Sequence, residues 1–261
     1  MGILASPIQK FLYSFARRSI GVPFRYALNI VLPKHPVVVP LLPPLAGHRM
    51  RVDLQSQKAF VMGTYEPTVC RALHKVVQPG WTVVDLGAHI GYMTLLLAKL
   101  VGPHGRVFAF EPMPDNFSVL CENVRLNRYR NVVAEPKAVT DACGSVTLYV
   151  PEERYSSQGS LLTKRGKPCL VEGISLDSYW DKLGDFALHL IKIDIEGAED
   201  AAIEGMVKLL RRWRPVMVVE VHACNDGAPS HCLERLKALG YRLRALDSAT
   251  WCEVNTTARG H

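Results

Sequence analysis

Hydrophobic positions along this chain follow two patterns. Short apolar runs that stop at an acid or a glycine read as buried strands, and stretches with apolar residues at three- and four-residue spacing read as helices. The sharpest boundary lies near residue 85. Val83 and Val84 lead into Asp85, Gly87 and Gly91 bracket a turn, and an apolar helical run follows. This predicts a strand over Thr82–Leu86, a tight turn from Gly87 to Gly91 and a helix over 92–100. Strand, glycine turn and helix in that order form the first unit of a doubly wound sheet, whose ligand crevice lies at the carboxyl ends of the strands.

The same reading extends along the chain. A strand over 106–110 ends at Glu111-Pro112, and Phe117, Leu120, Cys121 and Val124 place a helix over 114–127. The third strand is predicted over 131–139, and 145–150 alternate enough for another strand in a hairpin. Residues 151–173 read as a long polar loop, of the kind that is usually functional or mobile. Ser175-Leu176-Asp177 opens a short helix. Strands over 188–195 and 215–221 carry Asp194-Ile195-Glu196 and Glu220-Val221-His222 at their ends, with the helical face of Ala202, Met206, Leu209, Leu210 and Trp213 between them. A helix from Pro229-Ser230 to Gly240 and a hairpin of 241–246 with 251–254 close the pattern.

Ahead of this core, Ile8, Phe11, Leu12 and Phe15 repeat at helical spacing with basic residues opposite them. Such a helix more often covers a sheet edge or a dimer surface than lies on a membrane, so peripheral membrane contact and a homo-oligomer are secondary expectations. The proline-rich residues 33–44 read as an extended linker, 48–54 as a short strand and 67–77 as a helix. The chain thus divides into an N-terminal extension (1–62), a main domain (63–255) and a frayed tail (256–261).

Composition narrows the partners. The net charge of +7 is dispersed, densest at Arg17-Arg18, at 125–130 and at Arg211-Arg212-Trp213-Arg214, without the basic stripe and interleaved aromatics of a nucleic-acid surface. No nucleic-acid partner is expected. Seven cysteines without a C-x-x-C pair signal neither a disulfide framework nor a standard zinc site, and the spacing of His222, Cys224, His231 and Cys232 fits no usual structural zinc site. Lys10, Arg17 and Arg18 interrupt the first apolar residues, so no signal peptide is read there, and prolines break the longest apolar run. A cytoplasmic protein is expected.

The glycine turn selects a cofactor. A dinucleotide fingerprint needs a glycine where His89 stands, so that backbone can approach a pyrophosphate. A carboxylate before the turn instead favours a ligand with an ammonium and a sulfonium. Glu111, twenty residues past Gly91, ends the next strand, where an acid can accept both hydroxyls of a ribose. Acid, glycine turn and second acid point to S-adenosylmethionine (SAM). The expected cofactor contacts are Asp85, Gly87, Ala88, His89 and Gly91 in the first unit, Glu111 and Pro112 after the second strand, Ala138 on the third and Asp194 at the end of the fourth. Tyr65 and Glu66, on the segment leading into the core, join them as residues that can fold across the cofactor mouth or simply pack the loop.

Methyl transfer is an in-line displacement from a good leaving group, so the protein must supply positioning and proton removal. Asp194 and Glu196 end one strand, Glu220 and His222 the next. His222 is the first candidate base because its unperturbed pKa suits work near neutrality. Asp194 and Glu196 are alternatives, and both are candidate ligands for a divalent metal that would acidify an acceptor hydroxyl.

Over residues 63–246 the chain resembles the FkbM family of SAM-dependent methyltransferases. The matching segments are Val84-Asp85-Leu86-Gly87-Ala88-His89-Ile90-Gly91, Ala109-Phe110-Glu111-Pro112, Ser175-Leu176-Asp177, Lys192-Ile193-Asp194-Ile195-Glu196-Gly197-Ala198-Glu199 and Glu220-Val221-His222. The resemblance implies a class I, Rossmann-like α/β fold: a seven-stranded, mostly parallel sheet with an antiparallel last strand and helices on both faces. It implies O-methylation of hydroxyls on sugars, polyketides or other secondary metabolites, or esterification of carboxylates. The family often carries asparagine where this chain has His89. The alternatives are a cofactor-binding module without turnover and a methyltransferase acting on a macromolecule.

Overall fold

The computed structural model describes residues 32–150, 167–184, 186–222, 230–246 and 249–254. Strand β1 (Val37–Pro40) pairs antiparallel with β2 (Arg49–Val52), and helices α1 (Lys58–Met62) and α2 (Pro67–Val76) lead into β3 (Thr82–Leu86). Then come α3 (Tyr92–Val101), β4 (Arg106–Phe110), α4 (Pro114–Leu126), β5 (Val132–Glu135), β6 (Lys137–Val139), β7 (Gly144–Val150) and β8 (Lys167–Ile174). The second half contains α5 (Leu176–Leu183), β9 (Leu190–Ile193), α6 (Glu199–Glu204), α7 (Val207–Trp213), β10 (Val216–Val219), α8 (Cys232–Ala238), β11 (Tyr241–Ala245) and β12 (Thr250–Val254).

Seven strands make the central sheet in the order β11-β12-β10-β9-β3-β4-β5. The pairs β5–β4, β4–β3, β3–β9 and β9–β10 are parallel, and β12, the last strand, runs antiparallel to both of its neighbours. This is the class I methyltransferase architecture that the resemblance implied. Its inner strands are apolar on both faces, as parallel strands covered by helices must be. Along β3, Val83 joins the buried cluster with Leu95, Leu96 and Leu97 of α3, whereas Val84 and Leu86 face the cluster with Ile203, Leu210 and Leu236. The chain builds outward from β3 through β4 to β5, then returns to the other side of β3 with β9. The topological switch point, where such sheets bind ligands, therefore lies between the ends of β3 and β9.

Three expectations are corrected. The stretch 131–139 is two strands, because Pro136 has no N–H to continue a ladder; β5 ends the large sheet and β6 joins a smaller one of order β6-β8-β7. Residues 167–173 are not loop but most of β8, and these residues pair antiparallel with β7. Residues 33–44 are not all linker, since β1 lies within them. The rest of the expected loop, 151–166, lies outside the described residues, as do the amphipathic helix around Ile8, Cys224, Pro229 and the tail. Among the described residues no helix is long and apolar enough to cross a membrane.

The described residues ahead of position 63 share the core. Leu41, Leu45, Met50, Val52 and Phe60 belong to the same buried cluster as Val83 and the apolar face of α3. Asn123 of α4 and Asn127, which caps its end, also hydrogen-bond the backbone of β2, at Arg51 and Arg49. Leu45→Ala, at a fully buried position, is expected to cost about 2–5 kcal/mol in urea unfolding. Leu42→Ala, 47% exposed, should stay within about 0.5 kcal/mol. Equal effects would mean that this hairpin does not dock on the core.

Candidate active site

A cleft opens at the switch point, with about 880 Å³ of empty space including its mouth. One wall is the turn after β3: Gly87 at φ 76°, His89 at φ 51° and Gly91 at φ 96° all take left-handed backbone. Histidine is among the few non-glycine residues that adopt this conformation with any frequency. Gly87 is required for a further reason. A Cβ there would sit 1.8 Å from the carbonyl oxygen of Asp194, so only glycine lets the two strand ends meet.

Beneath the turn lies a buried charge relay. Asp85 is fully buried and accepts a hydrogen bond of 2.6 Å from the Thr94 hydroxyl. The Lys192 ammonium, also buried, stands 3.5 Å from Asp85 Oδ1 and 3.2 Å from Asp194 Oδ2, and donates to the Gly87 carbonyl at 3.4 Å. Burial works against this ammonium, but Asp194 and Asp85 outweigh it and hold the Lys192 pKa above the ordinary lysine range. Asp85, expected as a cofactor contact, has its carboxylate beside Lys192 and does not line the cleft wall. Gly91 is likewise absent from that wall. A Cβ there would meet Leu120 Cδ1 of α4 at 2.8 Å, so its role is helix packing.

Glu111 follows β4 and lies in the wall with Pro112, Met113 and Asn116. Its carboxylate accepts the backbone N–H of His89 at 2.8 Å and of Met113 at 2.9 Å, and the Asn116 amide at 3.5 Å. Burial pushes its pKa up to about 7, against the pull of those three donors. Asn116 Oδ1 is buried without a partner in the structure. Opposite, Ala138 and Val139 of β6 and Leu148 of β7 supply apolar lining, and Phe60, Tyr65 and Tyr92 form an aromatic group at the mouth.

The far end of the cleft is acidic. Asp194 and Glu196 are in its wall, and Glu196 and Gly197 take consecutive left-handed conformations at φ 52° and 96°. Strand alternation, expected to align Asp194 with Glu196, stops at Ile193; the kinked turn does the aligning instead. His222 stands behind them. Its Nδ1 lies 2.9 Å from Glu199 Oε1, while Nε2 faces Asp194 Oδ1 at 3.8 Å, Glu196 Oε2 at 3.8 Å and Glu220 Oε1 at 3.9 Å. The Glu199 bond raises the His222 pKa to about 9 against partial burial, with Glu196 and Asp194 helping. The Glu199 carboxylate thus favours the protonated form of the ring.

Glu66 is also absent from the cleft wall. It starts α2 in a left-handed conformation and its carboxyl is hydrogen-bonded to Tyr65 and to Glu220. Burial raises both pKa values of this acid pair, that of Glu220 to about 8, so the two hold a proton between them.

Of the sequence-derived candidates, Tyr65, Gly87, Ala88, His89, Glu111, Pro112, Ala138, Asp194 and Glu196 line one cleft. Lys192, Asn116 and Glu199 were missed. Lys192 was signalled by a lone cation inside an apolar strand, and Glu199 by its place in the same segment; nothing marked Asn116. The matching segment Ser175-Leu176-Asp177 proves architectural. Ser175 caps α5 through the Ser178 N–H, and Asp177 caps α7 through the N–H groups of Lys208 and Leu209.

Sheet order, switch-point cleft and strand-end acids together define a methyltransferase of class I. The chain belongs to the methyltransferase FkbM domain family, which it matches over residues 85–243. Among curated proteins it is 27% identical to methyltransferase sdnD of Sordaria araneosa over 60% of this chain and 70% of that one. A shorter stretch, 22% of each chain, is 48% identical to protein-L-isoaspartate O-methyltransferase of Aeropyrum pernix. Among solved structures, methyltransferase FkbM of Methylobacillus flagellatus is similar at 20% identity and a TM-score of 0.47, over 76% of this chain and 54% of that one.

Lys192→Met leaves the buried Asp85 carboxylate without its cation. It should cost about 3–5 kcal/mol in urea unfolding, and Asp85→Asn in the same chain should recover part of that loss. A variant as stable as the parent would mean that the ion pair is not what holds the turn.

Proposed function

We propose that the chain is a SAM-dependent O-methyltransferase that methylates a hydroxyl, or a carboxyl, of a small acceptor such as a sugar, glycoside, polyketide or other secondary metabolite, in the cytoplasm. One observation carries the reading. One cleft holds Glu111 and Asn116 together with Asp194 and Glu196 in its wall. Membership of a methyltransferase family supports it, and so does the similarity to methyltransferase sdnD of Sordaria araneosa.

The lining suits SAM. Glu111 has acceptor capacity for a ribose diol beyond the N–H groups it already takes, and the orphan Asn116 Oδ1 lacks a donor such as a hydroxyl or an amino group. Met113, Phe110, Val139 and Leu148 offer an apolar slot for a purine. Gly87, Ala88 and His89 present backbone at the turn, and Asp194 places negative charge where a ligand ammonium or sulfonium would sit. When bound, SAM supplies a methyl group already activated on sulfur.

What remains for the chain is to orient the acceptor, exclude water and take a proton. Asp194 and Glu196 are the carboxylates in the wall that can accept a hydroxyl proton. His222, fixed at Nδ1 by Glu199, turns Nε2 toward both. Tyr65, Phe60 and Tyr92 pack against one another in the cleft wall.

The test is transfer from labelled SAM into a pool of hydroxylated small molecules. A labelled product of low mass is expected, and label found only in macromolecules would sink the small-acceptor reading. Glu111 gives a second test through pH. With its pKa raised to about 7, the carboxyl is protonated below neutrality and ionised above it. Only the ionised form accepts both ribose hydroxyls, so affinity for S-adenosylhomocysteine should rise about tenfold between pH 6 and pH 8. Calorimetry on Glu111→Gln should show weaker binding without that rise; a slope surviving in the variant would acquit Glu111.

A further inference from the structure

Among the described residues, Asp194, Glu196, Glu199 and Glu220 gather around His222 beyond β9 and β10, while Lys192 is shared with the buried Asp85. Two sets of potential donor atoms, Asp194-Glu196-His222 and Glu66-Asp194-Glu220, each lie within 4.8 Å of one another, and Asp194 belongs to both.

Acids alone would not make a site, but the histidine adds an independent constraint. Glu199, 1% exposed, grips Nδ1 at 2.9 Å, which puts the ring hydrogen on that nitrogen and turns Nε2 to the cluster. Nε2 is then 3.8, 3.8 and 3.9 Å from oxygens of Asp194, Glu196 and Glu220. These separations are too long for hydrogen bonds. Ligands bound at about 2.0–2.2 Å around one ion stand roughly 3–4 Å from each other, which is the spacing seen. A histidine whose second nitrogen is held by a buried carboxylate is also how proteins orient an imidazole toward a metal.

We propose that Asp194, Glu196 and His222 bind a divalent transition-metal ion beside the cleft. One imidazole among several carboxylates favours Mn²⁺ or Fe²⁺ over Mg²⁺ and Ca²⁺, which rarely take nitrogen, and over softer-ligand Zn²⁺ sites. The use of such an ion, to polarise and orient the acceptor oxygen, rests on the methyl-transfer reading; the ion-binding site itself does not.

The experiment is Mn²⁺ titration of the full chain after EDTA treatment and dialysis, with the free ion counted by electron paramagnetic resonance. One site per chain is expected. His222→Ala and Glu196→Gln should each weaken it roughly tenfold or more, and Glu199→Gln, which touches none of the proposed ligands except His222, by a similar factor. Glu111→Gln, at the other end of the cleft, should leave it unchanged. Melting curves and S-adenosylhomocysteine affinity serve as folding controls, so that lost Mn²⁺ with both retained supports the site. Absence of Mn²⁺ binding by the parent protein overturns it, and so does binding untouched in folded His222→Ala and Glu196→Gln. The methyl-transfer reading fails separately, by absence of labelled product with and without Mn²⁺. Product formation that ignores EDTA, in a protein that binds no Mn²⁺, removes the metal and keeps the transfer.

Discussion

One buried ammonium organises the centre of this protein. Lys192 projects from an apolar strand into an environment where an unpaired charge would cost several kcal/mol. It is tolerable because Asp85, Asp194 and the Gly87 carbonyl converge on it. That convergence draws the end of β3 against the end of β9, and Gly87, having no Cβ, permits the backbones to touch. The cleft exists because these two strand ends are locked together while the elements on either side diverge. Asp194 then serves two neighbours, with one oxygen on Lys192 and the other turned toward His222.

Much of the sheet was legible in the sequence, because parallel strands covered on both faces must be unbroken apolar runs. The strand Thr82–Leu86 has the bounds its pattern predicts, and the turn and helix after it follow the glycine spacing. Errors fell where local pattern and tertiary pairing disagree. Pro136 diverted the chain into a second sheet that no periodicity announces. β8, which contains Pro168, Glu172 and Gly173, reads as loop until β7 is laid beside it. Gly173 is needed there, since a Cβ would strike Val146 of β7 at 2.2 Å.

The site was legible as a set of residues more than as a set of roles. Strand-end acids could be named from their position, but whether a carboxylate faces a cleft or a buried lysine depends on which strand lies beside it. Asp85 and Asp194 illustrate this. Both were read as cofactor contacts, and both bind Lys192, yet only Asp194 also reaches the cavity. His222 likewise is gripped by Glu199, at the start of the helix after β9, which favours its protonated form. Neighbours distant in sequence determine such properties, and spacing along one chain does not encode them.

The small sheet of β6, β7 and β8 contributes Ala138, Val139 and Leu148 to the cleft, but none of its acids. Its strands pair with one another rather than with β3 or β9, so its side chains are not partners in the lysine-centred lock. Mutational drift in this wall can therefore reshape what the cleft admits while the charged end stays intact. The architecture thus separates a lysine-centred part on which the fold depends from a wall that stands outside that lock.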